Sequence, residues 1–207
     1  MLIRIHPDDP QPRLVKQVVE CLLDGGVIIY PTDTIYGIGC NIFNGDAITR
    51  IARIKGVDVK KAHFSFICAD LSHLSDYTRS VNTPVFRLLK AALPGPYTFI
   101  LEASRQVPKQ LKTKKDTVGI RIPNNKICHC IVKELGHPLM SASLPMDVDI
   151  EYFTDPEVME ERFGKLVDLV IDGGPGRVVA STVIDCTSGE AVLIRQGAGA
   201  FNGSMAQ

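Results

Sequence analysis

The chain contains no run of 18 apolar residues, so it has nothing from which a membrane-spanning helix could be built. It also lacks net charge. Its 23 Lys and Arg balance 23 Asp and Glu, which removes any bulk electrostatic drive toward nucleic acid or an acidic membrane surface. The segment from Met1 to Asp9 is too short and too acidic to read as a secretory signal. No two of the cysteines at positions 21, 40, 68, 128, 130 and 186 form a CxxC pair, and four of them lie in apolar surroundings. Buried thiols in a reduced, cytoplasmic protein fit this usage. A GxxxxGK[ST] loop is missing as well. Gly37-Ile38-Gly39 lacks the third glycine of a dinucleotide fingerprint, and Gly197-Ala198-Gly199 comes too late in the chain to open a helix. The familiar nucleotide folds are therefore disfavoured, and a nucleotide would have to be held by side chains and irregular loops. No Ser-His-Asp order and no paired-carboxylate motif is present, so covalent hydrolysis is not indicated.

Apolar residues make up 45% of the 207 positions and charged residues 22%, which is enough apolar material for a substantial core. Without an internal repeat or a low-complexity linker, a single domain is expected over 1–207, with a loose tail after Gly199. Leu14, Val15, Val18, Val19, Leu22 and Leu23 share one helical face, and Gly25-Gly26 closes that helix. Further helices are predicted from Asp46 to Ile54, from a Thr83 cap with Pro84 in the first position to Ala92, from Asn124 or Asn125 to Gly136, and from Asp155 onward. Strands are predicted at Val27–Tyr30, Phe64–Cys68, Thr98–Leu101, Val118–Ile122, Leu139–Ser143, Val167–Ile171, Thr182–Asp185 and Val192–Ile194. Helices and strands mix without strict alternation, which predicts an α/β fold with a mixed sheet.

Cys128-His129-Cys130 has the composition of a metal cluster, but Ile127, Ile131 and Val132 place it on a helix. There, positions two apart point in different directions, and no second cluster has ligand spacing, so no metal site is expected. Lys109, Lys112, Lys114 and Lys115 form one basic stretch and Lys55, Lys60 and Lys61 another; the alternatives are a local basic patch and a solvated face, and a solvated face is the simpler reading of the first.

The densest polar signal is Pro31-Thr32-Asp33-Thr34-Ile35-Tyr36-Gly37, placed directly after the apolar run Val27 to Tyr30. Buried polar atoms must be hydrogen-bonded or they cost stability. The segment is either a ligand-facing strand end or a turn whose Thr and Asp side chains satisfy themselves. Other polar or cationic residues recur at strand ends: Lys55, Thr117, Arg121, Ser141, Ser143, Ser181 and Arg195. Each has an ordinary structural reading. Lys55 complements a helix C-terminus, and Arg121 takes the side of a strand opposite Ile120 and Ile122, which in a half-exposed sheet is the solvent side.

Taken in order, the segments are more specific than any one of them. Pro31 to Gly37, Ile54-Lys55-Gly56, Leu93 to Thr98, Thr117 to Pro123, Ser141-Ala142-Ser143, Asp172 to Pro175, Ser181 to Asp185 and Ile194 to Gly197 follow the order of the YrdC/Sua5 family. The resemblance spans about residues 12–199 and is strongest to the stand-alone YciO-like branch. It implies an open, twisted mixed sheet around a concave, basic cavity. It also implies the chemistry of an L-threonylcarbamoyladenylate synthase, which joins L-threonine, bicarbonate and ATP for a tRNA modification and releases pyrophosphate. By the same resemblance, Thr32, Arg121, Ser141 and Ser181 match threonine contacts, Arg121 as a planar fork for the carboxylate. Lys55 and Arg195 match the catalytic cations at the ATP phosphates. Thr117, Ser143 and Lys61 complete the nucleotide contacts, and magnesium enters with ATP. Two positions depart from the family pattern: Lys55-Gly56-Val57 has no arginine where the family carries Lys-x-Arg, and Ser143-Leu144-Pro145 stands where the family carries Ser-Ala-Asn. A second expectation under the same resemblance is a module that binds nucleotide, double-stranded RNA or tRNA without synthase activity.

Overall fold

The computed structural model describes residues 1–59, 62, 64–72, 74–111, 116–144 and 154–201. Each expected helix forms. Pro12 starts α1 (Pro12–Leu23), which buries Val15, Val18, Val19 and Leu22. Leu23, expected on the same face, is exposed: it sits about 100° round the helix from Leu22, at the edge of the buried stripe. Next come α2 (Gly45–Ile54), capped by Asn44, and the single turn α3 (Leu74–Tyr77). Helix α4 (Thr83–Ala92) is capped by Asn82 rather than Thr83. The Asn82 side chain accepts from the Val85 amide at 2.9 Å, which leaves Thr83 and Pro84 inside the first turn. Asn125 caps α5 (Lys126–Leu135) by accepting from the Cys128 amide, and Gly136 ends it at φ 77°, a left-handed conformation that costs glycine nothing. Asp155 caps α6 (Pro156–Phe163).

The strands are β1 (Leu2–Arg4), β2 (Val27–Tyr30), β3 (Gly37–Asn41), β4 (Ser65–Ile67), β5 (Tyr97–Glu102), β6 (Thr117–Arg121), β7 (Leu139–Ser143), β8 (Leu169–Asp172), β9 (Thr182–Asp185) and β10 (Val192–Arg195). Among the described residues they form one open mixed sheet in the order β1-β8-β2-β3-β7-β4-β6-β5-β9-β10. Strands β1, β8 and β2 run parallel, as do β4 with β6 and β5 with β9; the remaining neighbours are antiparallel. β1 and β3 were not among the expected strands. β3 is fully buried and carries two glycines, so it shows neither alternation nor β-branched enrichment. Pairing on both sides makes it a strand, with Tyr30 opposite Gly37 on β2 and Ser141 opposite Gly39 on β7.

Each face of the sheet carries an apolar layer. On one face α2, α4 and α6 bury Ile48, Ile51, Leu88, Leu89, Met159 and Phe163 against Ile38, Phe66, Phe99 and Ile120. On the other, α1 and α5 pack over β1, β8, β2 and the ends of β4 and β7. No residue of β5, β6, β9 or β10 joins that second cluster. Strand alternation then turns Thr117, Gly119 and Arg121 of β6 away from the first layer, onto a face that neither α1 nor α5 covers. The concavity of the protein lies there. No helix among the described residues is long and apolar enough to cross a membrane.

Candidate functional site

The uncovered face encloses a cavity of about 340 Å³. Its floor is made of small residues in register: Ser65 of β4 lies between Gly119 of β6 and Ser141 of β7. Thr98, Ile100, Val183 and Ile194 wall it on one side, and Ile35, Tyr36 and Gly37 on the other. The only charged residues lining it, among those described, are Arg121 and Arg195. A space with two guanidinium groups and no lining carboxylate favours an anionic ligand.

Arg121 is only 8% exposed. Its Nη2 donates to Thr34 Oγ1 at 2.9 Å and lies 3.2 Å from Asp33 Oδ1, so one turn holds one edge of the guanidinium. Asp33 Oδ2 also accepts from the Asn124 amide at 3.1 Å, which fixes the carboxylate that fixes the arginine. The Arg121 Nε has no partner among the described residues, although it is fully buried. Buried polar groups nearly always have a partner, so an unsatisfied donor at a cavity wall marks a place where a ligand acceptor would be stabilised. The sheet face that carries Arg121 is therefore the cavity and not solvent.

Both readings of Pro31 to Gly37 are realised, by different residues. Thr32 spends its hydroxyl inside the turn, donating to the Ile35 carbonyl at 2.8 Å and accepting from the Thr34 amide at 3.0 Å. Thr32 does not line the cavity, whereas Ile35, Tyr36 and Gly37 do. Tyr36 reaches back to the Asp172-Gly173-Gly174 turn, accepting from the Gly173 amide and donating to the Gly174 carbonyl. Burial pushes its phenol well above the usual tyrosine value.

The other candidates converge. Arg121, Ser141, Ser181, Thr117, Ser143 and Arg195 all line the same cavity. Ser181 Oγ lies 2.8 Å from Thr98 Oγ1, and its carbonyl accepts from Arg195 Nη2 at 2.8 Å. Lys55, the C-cap of α2, donates its ammonium to the Ser143 carbonyl, which sets it at the cavity rim. Partial burial lowers its pKa below the ordinary lysine value. Lys61 lies outside the described residues, as do Lys60, Pro145, Lys112, Lys114 and Lys115. Val57 is exposed and lines a separate groove with Arg53, Asp58 and Lys109. Cys128 lies on α5 as expected, and its thiol donates to the Pro31 carbonyl at 3.0 Å. Desolvation pushes that thiol far above its ordinary pKa, so it stays protonated. Among the described residues no three His, Cys, Asp or Glu side chains group to hold a metal ion. Asp33 and Thr34, expected only as members of the Pro31 to Gly37 segment, take part in the site, and so do Thr98, Ser65 and Tyr30, which carry no site expectation of their own. For Ser65 and Thr98 the available signal was a small or polar residue alternating with core residues on adjacent strands.

This sheet and cavity find close counterparts. The family model for Sua5, YciO and YrdC proteins, described as "Telomere recombination", matches residues 20–197, and the chain belongs to that family. It is 43% identical over 197 residues to an uncharacterized protein, YciO of Escherichia coli, covering 94% of each chain. The crystal structure of E. coli YciO superposes with a TM-score of 0.91, 41% identity and 98% coverage of both chains. A threonylcarbamoyl-AMP synthase of Coxiella burnetii is 28% identical over 183 residues, 88% of this chain and 97% of that protein. P. abyssi Sua5 complexed with L-threonine gives a TM-score of 0.84 at 26% identity, over 95% of this chain and 57% of the other.

Proposed function

We propose that the cavity binds L-threonine and MgATP and forms threonylcarbamoyl-AMP. The observation that carries this reading is Arg121. It is buried, clamped on one edge by Asp33 and Thr34, carries an unpartnered Nε, and lines a hydroxyl-rich cavity. A carboxylate is the natural occupant of such a half-used fork. The L-threonine complex of P. abyssi Sua5, a family member of the same fold, supports the choice of amino acid.

The chemistry needs no covalent enzyme intermediate. The deprotonated threonine amine attacks the carbon of bicarbonate, an N–C bond forms, and water departs to leave a carbamate. A carbamate oxygen then attacks the α-phosphorus of ATP as the bond to the β,γ-diphosphate breaks, and pyrophosphate leaves with magnesium. Arg121 holds the carboxylate, and the hydroxyls of Ser141 and Ser181 orient the amino acid. In this reading Lys55 and Arg195 neutralise charge building on the leaving pyrophosphate, while Thr117 and Ser143 contact the nucleotide. Positioning and cationic stabilisation supply most of the acceleration in such phosphoryl chemistry. Among the described residues no carboxylate lines the cavity, which suits magnesium that arrives already bound to the phosphates. The product class serves threonylcarbamoylation of tRNA.

One observation favours a narrower second reading, nucleotide binding without synthesis. Val57 occupies the place of the second cation of the family's Lys-x-Arg and lines a groove separate from the cavity. Incubation with MgATP, bicarbonate and labelled threonine separates the two. Pyrophosphate release matched by a threonine-bearing adenylate is expected. Retained ATP binding with no adenylate above a no-enzyme control would leave only the second reading.

A further inference from the structure

Gly37-Ile38-Gly39, which fails as a dinucleotide fingerprint, has another use in this fold. Tyr30 ends β2, and Ser141 sits on β7, with β3 running between them. The Tyr30 ring crosses the face of β3 to reach Ser141. A Cβ at Gly37 would lie 3.0 Å from Tyr30 Cζ, and one at Gly39 only 2.9 Å from Tyr30 Cε1. Side chains at either position would occupy the path of the ring. The two glycines therefore open a passage that lets a side chain from one strand act two strands away.

At the end of that passage Tyr30 Oη donates to Ser141 Oγ at 2.5 Å. Tyr30 is fully buried, and neither hydroxyl has another side-chain partner among the described residues. The buried phenol stays neutral, and Ser141 Oγ is the one side-chain acceptor its proton meets among the described residues. A serine hydroxyl has one proton and two lone pairs. With one lone pair engaged from below, the remaining proton of Ser141 is free for the cavity that Ser141 lines.

We propose that Tyr30 is a positioning residue that fixes Ser141 as a hydrogen-bond donor into the cavity, so that the ligand group receiving the Ser141 proton is an acceptor oxygen of a carboxylate or carbamate. The choice of ligand rests on the threonine reading above; the direction of the hydrogen bond does not. Ser141 then works with Arg121, which lines the same cavity, as a second donor to the anionic end of the substrate. Tyr30 never touches the ligand and acts only through Ser141.

Two measurements test this independently. In the ligand-free protein, proton NMR should show a slowly exchanging Tyr30 hydroxyl proton with an Overhauser contact to the Ser141 β-protons, absent from Tyr30→Phe. A Ser141 hydroxyl proton directed at Tyr30 instead would overturn the proposal. In calorimetric titration with L-threonine, Tyr30→Phe and Ser141→Ala should each weaken binding about 3- to 10-fold. The double variant should bind no more weakly than Ser141→Ala alone, because the two changes remove one interaction. The loss should be confined to L-threonine, since a loosened fold would weaken MgATP as well. Additive losses, or a Tyr30→Phe variant that binds L-threonine like the wild type, would overturn the positioning role. If the wild type takes no L-threonine at all, the threonine reading fails, and the hydroxyl proton alone decides the inference.

Discussion

Arg121 and Lys55 are two cations under opposite constraints. Arg121 is nearly fully buried but tied to Asp33 and Thr34, so its charge is compensated and its plane is set before any ligand arrives. Arg121→Lys keeps the charge and loses the fork. Calorimetry should find L-threonine binding weaker by about 10- to 100-fold, the scale of a charged hydrogen bond; unchanged affinity would show that the fork is not used. Lys55 is only half-buried, and desolvation holds its pKa below the ordinary value of 10.5. Two consequences follow from the sign of that shift. Because the unfolded chain binds the Lys55 proton more tightly, this group's contribution to stability rises with pH between its folded pKa and 10.5, and the charged form is held at some cost below that window. Lys55→Met should therefore leave thermal stability near neutral pH undiminished while it weakens MgATP binding. MgATP affinity of the wild type should also decline on the alkaline side earlier than that of Lys55→Arg, whose guanidinium stays charged throughout. Coincident pH profiles would contradict the phosphate role of Lys55.

At the scale of elements, β3 is the member whose substitution should be felt most. A Cβ at Gly39 would stand 2.7 Å from the Met140 carbonyl oxygen and 2.9 Å from the Tyr30 ring. Backbone cannot yield cheaply there, so Gly39→Ala should destabilise by about 1–3 kcal/mol, seen as a lowered midpoint in thermal unfolding. Asn125→Ala removes the cap of α5 and should cost about 1 kcal/mol. The same elements show what sequence patterns can and cannot convey. Helix α1 was legible because four core residues repeat with helical spacing. α5 was legible because an asparagine cap and a terminal glycine bracket it. β3 was not, because a glycine-containing strand that is buried on both faces and paired on both sides has no periodic signature. The Asn82 cap was hidden beside Thr83, since two neighbouring residues can each cap and only local geometry selects one. Arg121 could be placed opposite Ile120, but alternation does not distinguish solvent from a cavity on the far face. Thr32 and Thr34 are interchangeable by type, yet the turn uses the Thr32 hydroxyl internally and presents Thr34 to the arginine.

For the molecule as a whole, the decisive arrangement is a ten-stranded sheet with one face layered across most of its width and the other over a smaller part. The uncovered part becomes a cavity whose lining charge is exclusively positive among the described residues. On the proposed reading magnesium arrives with ATP, so chelation should abolish adenylate formation while leaving L-threonine binding intact. Val57→Arg should raise the rate of adenylate formation if the missing family cation limits the nucleotide half; an unchanged rate would place the limit elsewhere. The central claim, that Arg121 waits for a carboxylate, is tested most directly by a crystal structure of the protein grown with L-threonine. The account predicts amino-acid density in the cavity with its carboxylate within hydrogen-bond distance of the Arg121 guanidinium, Nε included. Threonine bound away from Arg121, or Arg121 unchanged with its Nε still unpartnered at saturating L-threonine, would contradict it.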